Sequence, residues 1–310
     1  MSKLQTPLCQ LLGIELPIVQ AGMSSYTTPE LVAAVSNAGG LGIIGGLSRD
    51  ADELREEIRK VRELTSRPFG VNHVISQIDT DAVDLTLELH VPILSLAWGR
   101  AGELVRRAHD AGMKVIHQVN TPEEAGQVAS DGADVIVAQG TEGGGHVGGM
   151  STLPLVPQVV DVVNGVPVLA AGGIADGRGL AAAVMLGAQG VLIGTRFLAT
   201  PEASGRGHSK DVILNALGSQ TVASKFFDDV LGLRWPGALV RSIRNPLLDR
   251  WAQRQQDWAL AAGQIRPSLE AALAAGDFVL AGESAGMIHD IVPAGELVVR
   301  IAREAEELLG

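Results

Sequence analysis

One histidine lies in a glycine-rich segment whose composition suits acid–base chemistry on a planar ligand. The segment AQGTEGGGHVGGM, residues 138–150, carries His146. An imidazole with a pKa of about 6.5 exchanges a proton readily at neutral pH, as a general acid or base must. The flanking glycines let the backbone approach a flat ligand closely. Because an apolar run typical of a strand precedes this flexible loop, we predict that His146 is catalytic; the alternative is an ordinary polar loop residue.

The same segment matches a dinucleotide-binding fingerprint in its letters only. Three glycines between 143 and 148 have the G-x-G-x-x-G spacing. That fingerprint must open a helix, and an acidic residue must end the following strand about 20 residues on. Here Pro154 follows too soon, and Asp161 falls within a predicted helix. We therefore reject this motif.

Other residue patterns argue against metal chemistry. No two histidines have the spacing of metal ligands on one helix, and HExxH does not occur. We therefore expect no catalytic metal. His73 and His117 lie near the ends of predicted strands. Each could contact a ligand or be a hydrogen-bonded structural residue.

Two further apolar runs end in glycine, which suggests an anion site. The first ends at Gly172 and Gly173 and the second at Gly194 and Thr195, with a helix of small residues (179–186) between them. Parallel strands that end in this way place bare backbone N–H groups and a helix N-terminus at one edge of a sheet. The alternative is that the glycines only permit tight turns.

Eight apolar runs of strand length alternate with helix-period segments, which predicts a parallel sheet covered by helices on both faces. Eight such units ending near residue 200 favour a (β/α)8 TIM barrel, an α/β fold, over an open sheet. The glycine-ended strands are then units seven and eight, where such barrels commonly bind phosphate. The predicted strands are 16–20, 41–45, 68–72, 91–95, 114–118, 134–138, 166–171 and 190–194. The predicted helices are 29–37, 50–65, 80–89, 100–111, 122–130, 155–163 and 176–186.

The composition limits the classes of function. A formal net charge of −11 over 310 residues argues against nucleic-acid binding, which needs a basic surface. The single cysteine, Cys9, excludes an internal disulfide framework and a cysteine-based metal cluster. No uncharged apolar run is long enough to span a membrane, and the first residues lack a signal-peptide pattern. We therefore expect a cytoplasmic protein that acts on a small molecule and binds neither nucleic acid nor membrane.

The chain after residue 200 departs from the barrel pattern. Residues 221–264 have the pattern of irregular helices and hold three of the four tryptophans. We predict a TIM barrel formed by 1–201 and 267–310, and a helical insertion from 202 to 266 that follows strand eight and covers the substrate site at the barrel mouth. An amphipathic helix at 294–309 would close the barrel. The insertion could also be a dimerisation arm, which would make the protein a homodimer.

Seven motifs follow one another along nearly the whole chain. They are PIVQAGM at 17–23, AVSNAGGLGIIGG at 34–46, PFGVN at 68–72, AQGTEGGGHVGG at 138–149, VLAAGGIADGRG at 168–179, GTRFLATPEA at 194–203 and AGESAGMI at 281–288. Together they resemble the nitronate monooxygenase family, formerly called 2-nitropropane dioxygenases. The same fold and motifs occur in FMN-dependent enoyl-acyl-carrier-protein reductases and in related NAD(P)H:quinone reductases.

The resemblance implies a TIM barrel that holds non-covalent FMN at its rim, with the redox chemistry carried by the cofactor. His146 matches the family's active-site histidine, which in a nitronate oxidiser would position the substrate and, where needed, deprotonate it. Gly172, Gly173, Gly194 and Thr195 would hold the FMN phosphate. The remaining implied cofactor residues are Ala21, Gly22, Met23, Asn72 and Gln139 around the ring and ribityl chain, Gly140, Glu142 and Gly143 in the loop, and Ser284 at the mouth.

The chain departs from the family pattern at two positions that bear on the reaction. Gly144 stands where many relatives have alanine, and Glu283 where glutamine is frequent. The letters AQG before the glycine loop favour a nitronate monooxygenase, because the enoyl reductases tend to have AEG there.

Two reactions therefore stay open. The first is oxidation of propionate 3-nitronate or small alkyl nitronates with O2, without NAD(P)H. The second is an NAD(P)H-dependent reduction of an enoyl thioester or quinone. Arg241 and Arg244 could contact the phosphate of a carrier protein or CoA, which would favour the second reaction, or form ion pairs, the interpretation we prefer. The intact loop around His146 argues against a third alternative, an inactive phosphate-binding barrel.

Overall fold

Eight parallel strands form a closed barrel in the computed structural model, which describes residues 3–47, 49–205 and 207–310. In chain order the strands are β1 (Ile18–Gln20), β2 (Gly42–Gly45), β3 (Phe69–Val74), β4 (Ile93–Ala97), β5 (Lys114–Val119), β6 (Val135–Gln139), β7 (Gly145–Val147), β8 (Val168–Ala171), β9 (Gly190–Ile193), β10 (Thr221–Ser224) and β11 (Leu239–Ile243). The barrel consists of β1 to β6, β8 and β9, and this confirms the predicted TIM barrel and all eight predicted strands.

The barrel closes between its first two strands. β1 pairs with β9 on one side. On the other side Gln20 N donates to Leu41 O at 2.8 Å and Leu41 N donates to Ile18 O at 3.0 Å. Because every barrel strand then has two neighbours, the sheet has no free edge.

Helices surround the barrel, and three of them, α2, α6 and α14, have the bounds that the sequence predicts. α2 and α6 each begin with a proline that follows a threonine cap: Thr28 Oγ1 accepts from Leu31 N at 3.0 Å, and Thr121 Oγ1 from Glu124 N at 3.2 Å. The helices are α1 (Pro7–Leu12), α2 (Pro29–Asn37), α3 (Ala51–Leu64), α4 (Thr80–Glu88), α5 (Gly102–Asp110), α6 (Pro122–Ser130), α7 (Thr152–Val162), α8 (Gly177–Met185), α9 (Thr195–Leu198), α10 (Ser209–Leu214), α11 (Phe226–Leu231), α12 (Pro246–Trp251), α13 (Ala262–Ala275) and α14 (Ala294–Leu309).

Apolar side chains fill the barrel and the layer between strands and helices. Ile43, Ile116, Val137 and Leu169 belong to one buried cluster contributed by four different strands. The C-terminal helix α14 packs against α8 and α2 and completes the outer layer. None of the described helices is long and apolar enough to cross a bilayer.

A second, three-stranded antiparallel sheet lies outside the barrel, in the order β10–β11–β7. β7 lies within the predicted flexible loop, and β10 and β11 lie within the predicted helical insertion, so both predictions were wrong in these parts. The backbone of β7 is extended because it pairs with β11, a partner distant in sequence.

Helix α13 crosses residue 266, where we predict the insertion to end. Its side chains Ile265 and Leu269 pack in one cluster with Phe226, Trp258 and Phe278. All five belong to the part of the chain that follows barrel strand β9. The cluster makes this part a small packed unit with its own apolar centre.

Candidate active site

The carboxyl ends of the barrel strands bring together five of the predicted cofactor residues. A Cβ atom at Gly194, after β9, would lie 3.7 Å from Met23 Sδ and 3.9 Å from Ala21 Cβ. A Cβ atom at Gly22 would lie 2.8 Å from Cβ of Asn72, so any side chain at position 22 would clash with Asn72. These residues therefore form one wall at the barrel rim.

Side-chain amides form a row along the next strands. Gln139 Oε1, at the end of β6, accepts from Gln118 Nε2 at 3.0 Å and from Asn120 Nδ2 at 2.9 Å. Asn72 Nδ2 donates to Ser95 Oγ at 3.1 Å. The bonds fix the orientation of both predicted residues, Asn72 and Gln139. Gln118 was not predicted as a site residue, although a polar side chain near the carboxyl end of a barrel strand is a signal.

A set of backbone N–H groups lies at the ends of β8 and β9. Gly172 and Gly173 have φ values of +102° and +75°, and a Cβ at Gly172 would lie 2.9 Å from Gly140 O. Within the described residues, the N–H groups of Gly172, Gly173, Gly194 and Thr195 donate to no protein acceptor. Neighbouring bare N–H groups in such turns suit an oxyanion, and phosphate in particular. The residues present therefore fit the phosphate of a mononucleotide cofactor.

The C-terminal segment, defined as residues 281–288, contacts the loop that follows β6. Glu283 N donates to Glu142 O and Gly282 N donates to Thr195 Oγ1, both at 2.9 Å. Ser284, the next residue, is buried. The segment therefore joins the phosphate-side strand end to the glycine loop.

Two contacts hold the glycine loop itself. The Glu142 carboxylate accepts from the backbone N–H of Thr152 at 2.9 Å, which anchors the loop to α7. A Cβ at Gly144 would lie 2.6 Å from Gly282 N. Glycine at position 144 is therefore required by the close approach of the C-terminal segment, which explains one of the two departures from the family pattern.

His146 lies on β7, directly opposite Val240 of β11. Its Nε2 atom is 2.9 Å from Oδ1 of Asp228, a residue of α11 that lies 82 positions further along the chain. The side chains of His146 and Asp228 are only 12% and 8% exposed. An ionised carboxylate only accepts hydrogen bonds, so Nε2 carries the hydrogen of this bond.

Two tryptophans surround the imidazole of His146. The indole of Trp235 stacks on it, with the ring centroids 3.6 Å apart and the planes 15° from parallel. Trp98 meets both rings edge-on, at 6.3 Å from His146 and 5.9 Å from Trp235. Trp98 follows β4 with a φ of +59°, a strained conformation of the kind that clusters at functional sites. Neither tryptophan was predicted from the sequence as a site residue.

Each of the other strand-end histidines is buried and forms a hydrogen bond within the protein. His73 is buried and its Nε2 lies 2.9 Å from Thr86 Oγ1; burial lowers its pKa from 6.5 to about 4. His117 Nε2 donates to Gly99 O at 3.0 Å, and burial lowers its pKa also. Both are therefore neutral at neutral pH and bonded within the protein.

The two arginines considered for phosphate binding form ion pairs. Arg241 Nη1 lies 3.1 Å from Glu283 Oε1, and its Nε donates to Thr141 O at 2.8 Å. Arg244 Nε donates to Asp249 Oδ1 at 3.0 Å. The second departure from the family pattern, Glu283, thus supplies the counter-charge of Arg241.

Two named proteins are similar to this chain in sequence. A Staphylococcus aureus (strain MSSA476) protein named probable nitronate monooxygenase is 37% identical over 297 residues, which cover 81% of each chain. A Mycobacterium tuberculosis protein named (3aS,4S,5R,7aS)-5-hydroxy-7a-methyl-1-oxo-octahydro-1H-indene-4-carboxyl-CoA dehydrogenase is 45% identical over 205 residues. That match covers 65% of this chain and 58% of the relative, so it spans less than two thirds of the relative's length.

Solved structures are similar over almost the whole chain. FabK from Thermotoga maritima has a TM-score of 0.88 at 36% identity, covering 98% of this chain and 97% of FabK. A nitroalkane oxidase from Streptomyces ansochromogenes has a TM-score of 0.84 at 31% identity, covering 97% of this chain and 98% of the oxidase. The family described as nitronate monooxygenase matches residues 5–83 and 75–304. The chain therefore belongs to the nitronate monooxygenase family and is a flavoprotein oxidoreductase with a TIM-barrel fold.

Proposed function

We propose that the protein is an FMN-dependent monooxygenase that oxidises alkyl nitronates with O2. The observation that carries this proposal is the oriented histidine: His146 is largely buried, is bonded to Asp228 and stacks on Trp235. The family membership and the similarity to a nitroalkane oxidase support the same reaction.

The proposed cofactor is FMN, because the site offers separate surfaces for a phosphate and a flat ring. The bare N–H groups at the ends of β8 and β9 would bind the phosphate dianion without a cationic side chain. FMN would supply an acceptor for the electron pair of the substrate, and these electrons would then reduce O2. The residues proposed to contact it are Gly172, Gly173, Gly194 and Thr195 at the phosphate, and Ala21, Gly22, Met23, Asn72, Gln139, Gly143 and Ser284 elsewhere.

His146 is the proposed catalytic residue. Within the described residues, no protein group bonds to its Nδ1 atom. A neutral imidazole whose Nε2–H is given to Asp228 has a lone pair at Nδ1, which can accept the carbon-bound proton of a nitroalkane. Once protonated, the same Nδ1 can donate to an oxygen of the anionic nitronate. Trp98 and Trp235 would exclude water from this exchange.

A second candidate reaction is oxidation or reduction of a CoA or carrier-protein thioester, with NAD(P)H as electron donor where the thioester is reduced. The 45% identical relative named as a carboxyl-CoA dehydrogenase favours it. Arg241 and Arg244 do not support it, because both are already paired with carboxylates.

The two reactions are distinguished by anaerobic mixing of the flavin-loaded protein with one reductant at a time. We expect propionate 3-nitronate to bleach the visible flavin absorbance and NADH or NADPH to leave it unchanged within the same time. Readmission of O2 should restore the absorbance. Rapid bleaching by NADH or NADPH and none by the nitronate would overturn the proposal and favour the thioester reaction. In that case an enoyl-CoA added to the reduced protein should reoxidise the flavin.

A further inference from the structure

The inserted part of the chain makes three separate contacts with His146. β11 pairs with β7 at Val240, the ring of Trp235 stacks on the imidazole, and Asp228 accepts from its Nε2. The barrel loop contributes the histidine, and the polypeptide after β9 contributes its strand partner, the ring that stacks on it and the acceptor for its Nε2. The site is therefore completed only where this segment docks on the barrel.

Asp228 is itself held rigidly. It lies on α11, whose residues Phe226 and Val230 on either side are buried in the cluster that contains Trp258 and Phe278. A carboxylate on a packed helix keeps its position without the entropy cost that a mobile side chain incurs. The 2.9 Å bond is thus built into the fold of the segment.

We propose that Asp228 is a positioning residue that holds His146 as its Nε2–H tautomer and so presents Nδ1 to the substrate. The inference rests on the proposed function, in which His146 exchanges a proton with the nitroalkane or nitronate. A carboxylate imposes this tautomer because it has no hydrogen to donate to Nε2. Its negative charge also balances the imidazolium that forms when Nδ1 takes a proton.

Among the described residues, Asp228 is the hydrogen-bond partner that the structure gives to the His146 ring. The two aromatic rings that pack against the imidazole, the indoles of Trp98 and Trp235, are uncharged. Stacking against Trp235 also restricts rotation of the imidazole plane. Trp235 thus restricts the orientation of the ring plane, and Asp228 selects the tautomer.

The decisive measurement is the tautomer itself, by nitrogen-15 NMR of histidine-labelled, FMN-loaded protein. We expect the His146 signals of the unmodified protein to report the Nε2–H tautomer. A predominant Nδ1–H tautomer in the unmodified protein would overturn the proposal. In Asp228→Asn the new amide can donate to Nε2, so we expect a shift toward the Nδ1–H form. The matched control is Asp229→Asn, one position along the same helix, which should leave the signals unchanged.

Turnover of the nitroalkane, the substrate that must lose a carbon-bound proton, provides the second readout. We expect kcat of Asp228→Asn to fall by about 10²-fold or more, in the range of a lost general base, with FMN content and KM little changed. Asp228→Glu keeps a carboxylate and should recover part of the loss. If Asp228→Asn keeps the tautomer of the unmodified protein and turns over as fast as Asp229→Asn, the proposed role of Asp228 is overturned. If the unmodified protein oxidises no nitroalkane or nitronate, the proposed function fails, and the NMR result still decides the positioning role.

Discussion

The carboxylate of Glu283 lies 3.1 Å from Nη1 of Arg241, and this ion pair joins the C-terminal segment to strand β11. The arginine side chain is 10% exposed and the glutamate 45%. The pair therefore connects two parts of the chain that both contact the glycine loop, since Arg241 also donates to Thr141 O and Glu283 N to Glu142 O. Glutamate at position 283 thus strengthens the docking of the segment around the site.

Replacing Glu283 by the glutamine frequent in the family should destabilise this protein modestly. Glu283→Gln leaves an acceptor for the arginine but removes the counter-charge of a largely buried cation. We expect the free energy of unfolding to fall by about 1 kcal/mol, measured by urea denaturation. The control is Asp249→Asn, which breaks the exposed pair with Arg244 and should cost less than about 0.5 kcal/mol. Equal losses in the two variants would contradict the structural role of Glu283.

Gly144→Ala, also a change toward the family pattern, should be more harmful. The added methyl would lie 2.6 Å from Gly282 N, so either the loop or the C-terminal segment must move. We expect a loss of about 1–3 kcal/mol in the free energy of unfolding. Gly126→Ala is the matched control, because position 126 lies inside α6 with nothing within 4 Å and should gain about 0.5–1 kcal/mol. A neutral Gly144→Ala would show that the segment docks less closely than the structure indicates.

Gly173→Val tests the phosphate end of the proposed FMN site. A β-branched residue at a φ of +75° is strained, and its methyl groups would cover the bare N–H groups. We expect the purified variant to lose most of its flavin, measured by visible absorbance per protein. Gly149→Ala, with open space around it, should stay fully loaded. A Gly173→Val protein with a full complement of FMN would refute the phosphate assignment.

The sequence predicts the barrel well because its signals are local. The threonine caps and following prolines of α2 and α6 are adjacent in the chain to the helices that they start. The glycine-ended strands β8 and β9 are likewise consecutive units that must be neighbours in a barrel. Composition and spacing over short windows therefore suffice for these parts of the fold and of the site.

The surroundings of His146 could not be predicted, because they depend on contacts between distant segments. Trp98 comes from the end of β4, His146 from β7, and Asp228 and Trp235 from the chain after β9. No spacing rule relates residues that meet only after the second sheet pairs β7 with β11. A run of glycines also hides a short strand, since glycine lowers strand propensity and only the partner strand stabilises the extended form.

Acid should destabilise the protein through His73. Its pKa is about 4 in the folded protein against 6.5 when unperturbed, because burial disfavours the imidazolium. The unfolded chain therefore binds a proton first as the pH falls, so the stability present above pH 6.5 declines between 6.5 and 4. The shift corresponds to a loss of about 3 kcal/mol over this range.

Urea denaturation of His73→Gln at several pH values between 7 and 4 measures this contribution. The variant lacks the buried titrating group, so its free energy of unfolding should decline less steeply with falling pH than that of the unmodified protein. His208→Gln, which removes a half-exposed histidine paired with Asp277, is the control for generic loss of a histidine. Parallel pH profiles for His73→Gln and the unmodified protein would contradict a neutral, buried His73.

His146→Ala tests the catalytic assignment directly. The change removes the proposed acid–base group at the mouth, while the bare N–H groups at the ends of β8 and β9 are left intact. We therefore expect full FMN content and a loss of about 10²–10⁴-fold in kcat for nitroalkane oxidation, measured by oxygen consumption. A preformed nitronate should suffer less, because its carbon-bound proton has already been removed and only the donor to its oxygen is lost.

The control for His146→Ala is His117→Ala, which removes a buried histidine whose Nε2 donates to Gly99 O. That variant should lower the free energy of unfolding while retaining turnover per folded, flavin-loaded molecule. Unchanged turnover in His146→Ala would exclude the residue from the reaction. An equal loss with nitroalkane and nitronate would assign it to substrate binding rather than to proton transfer, because only the nitroalkane requires a base.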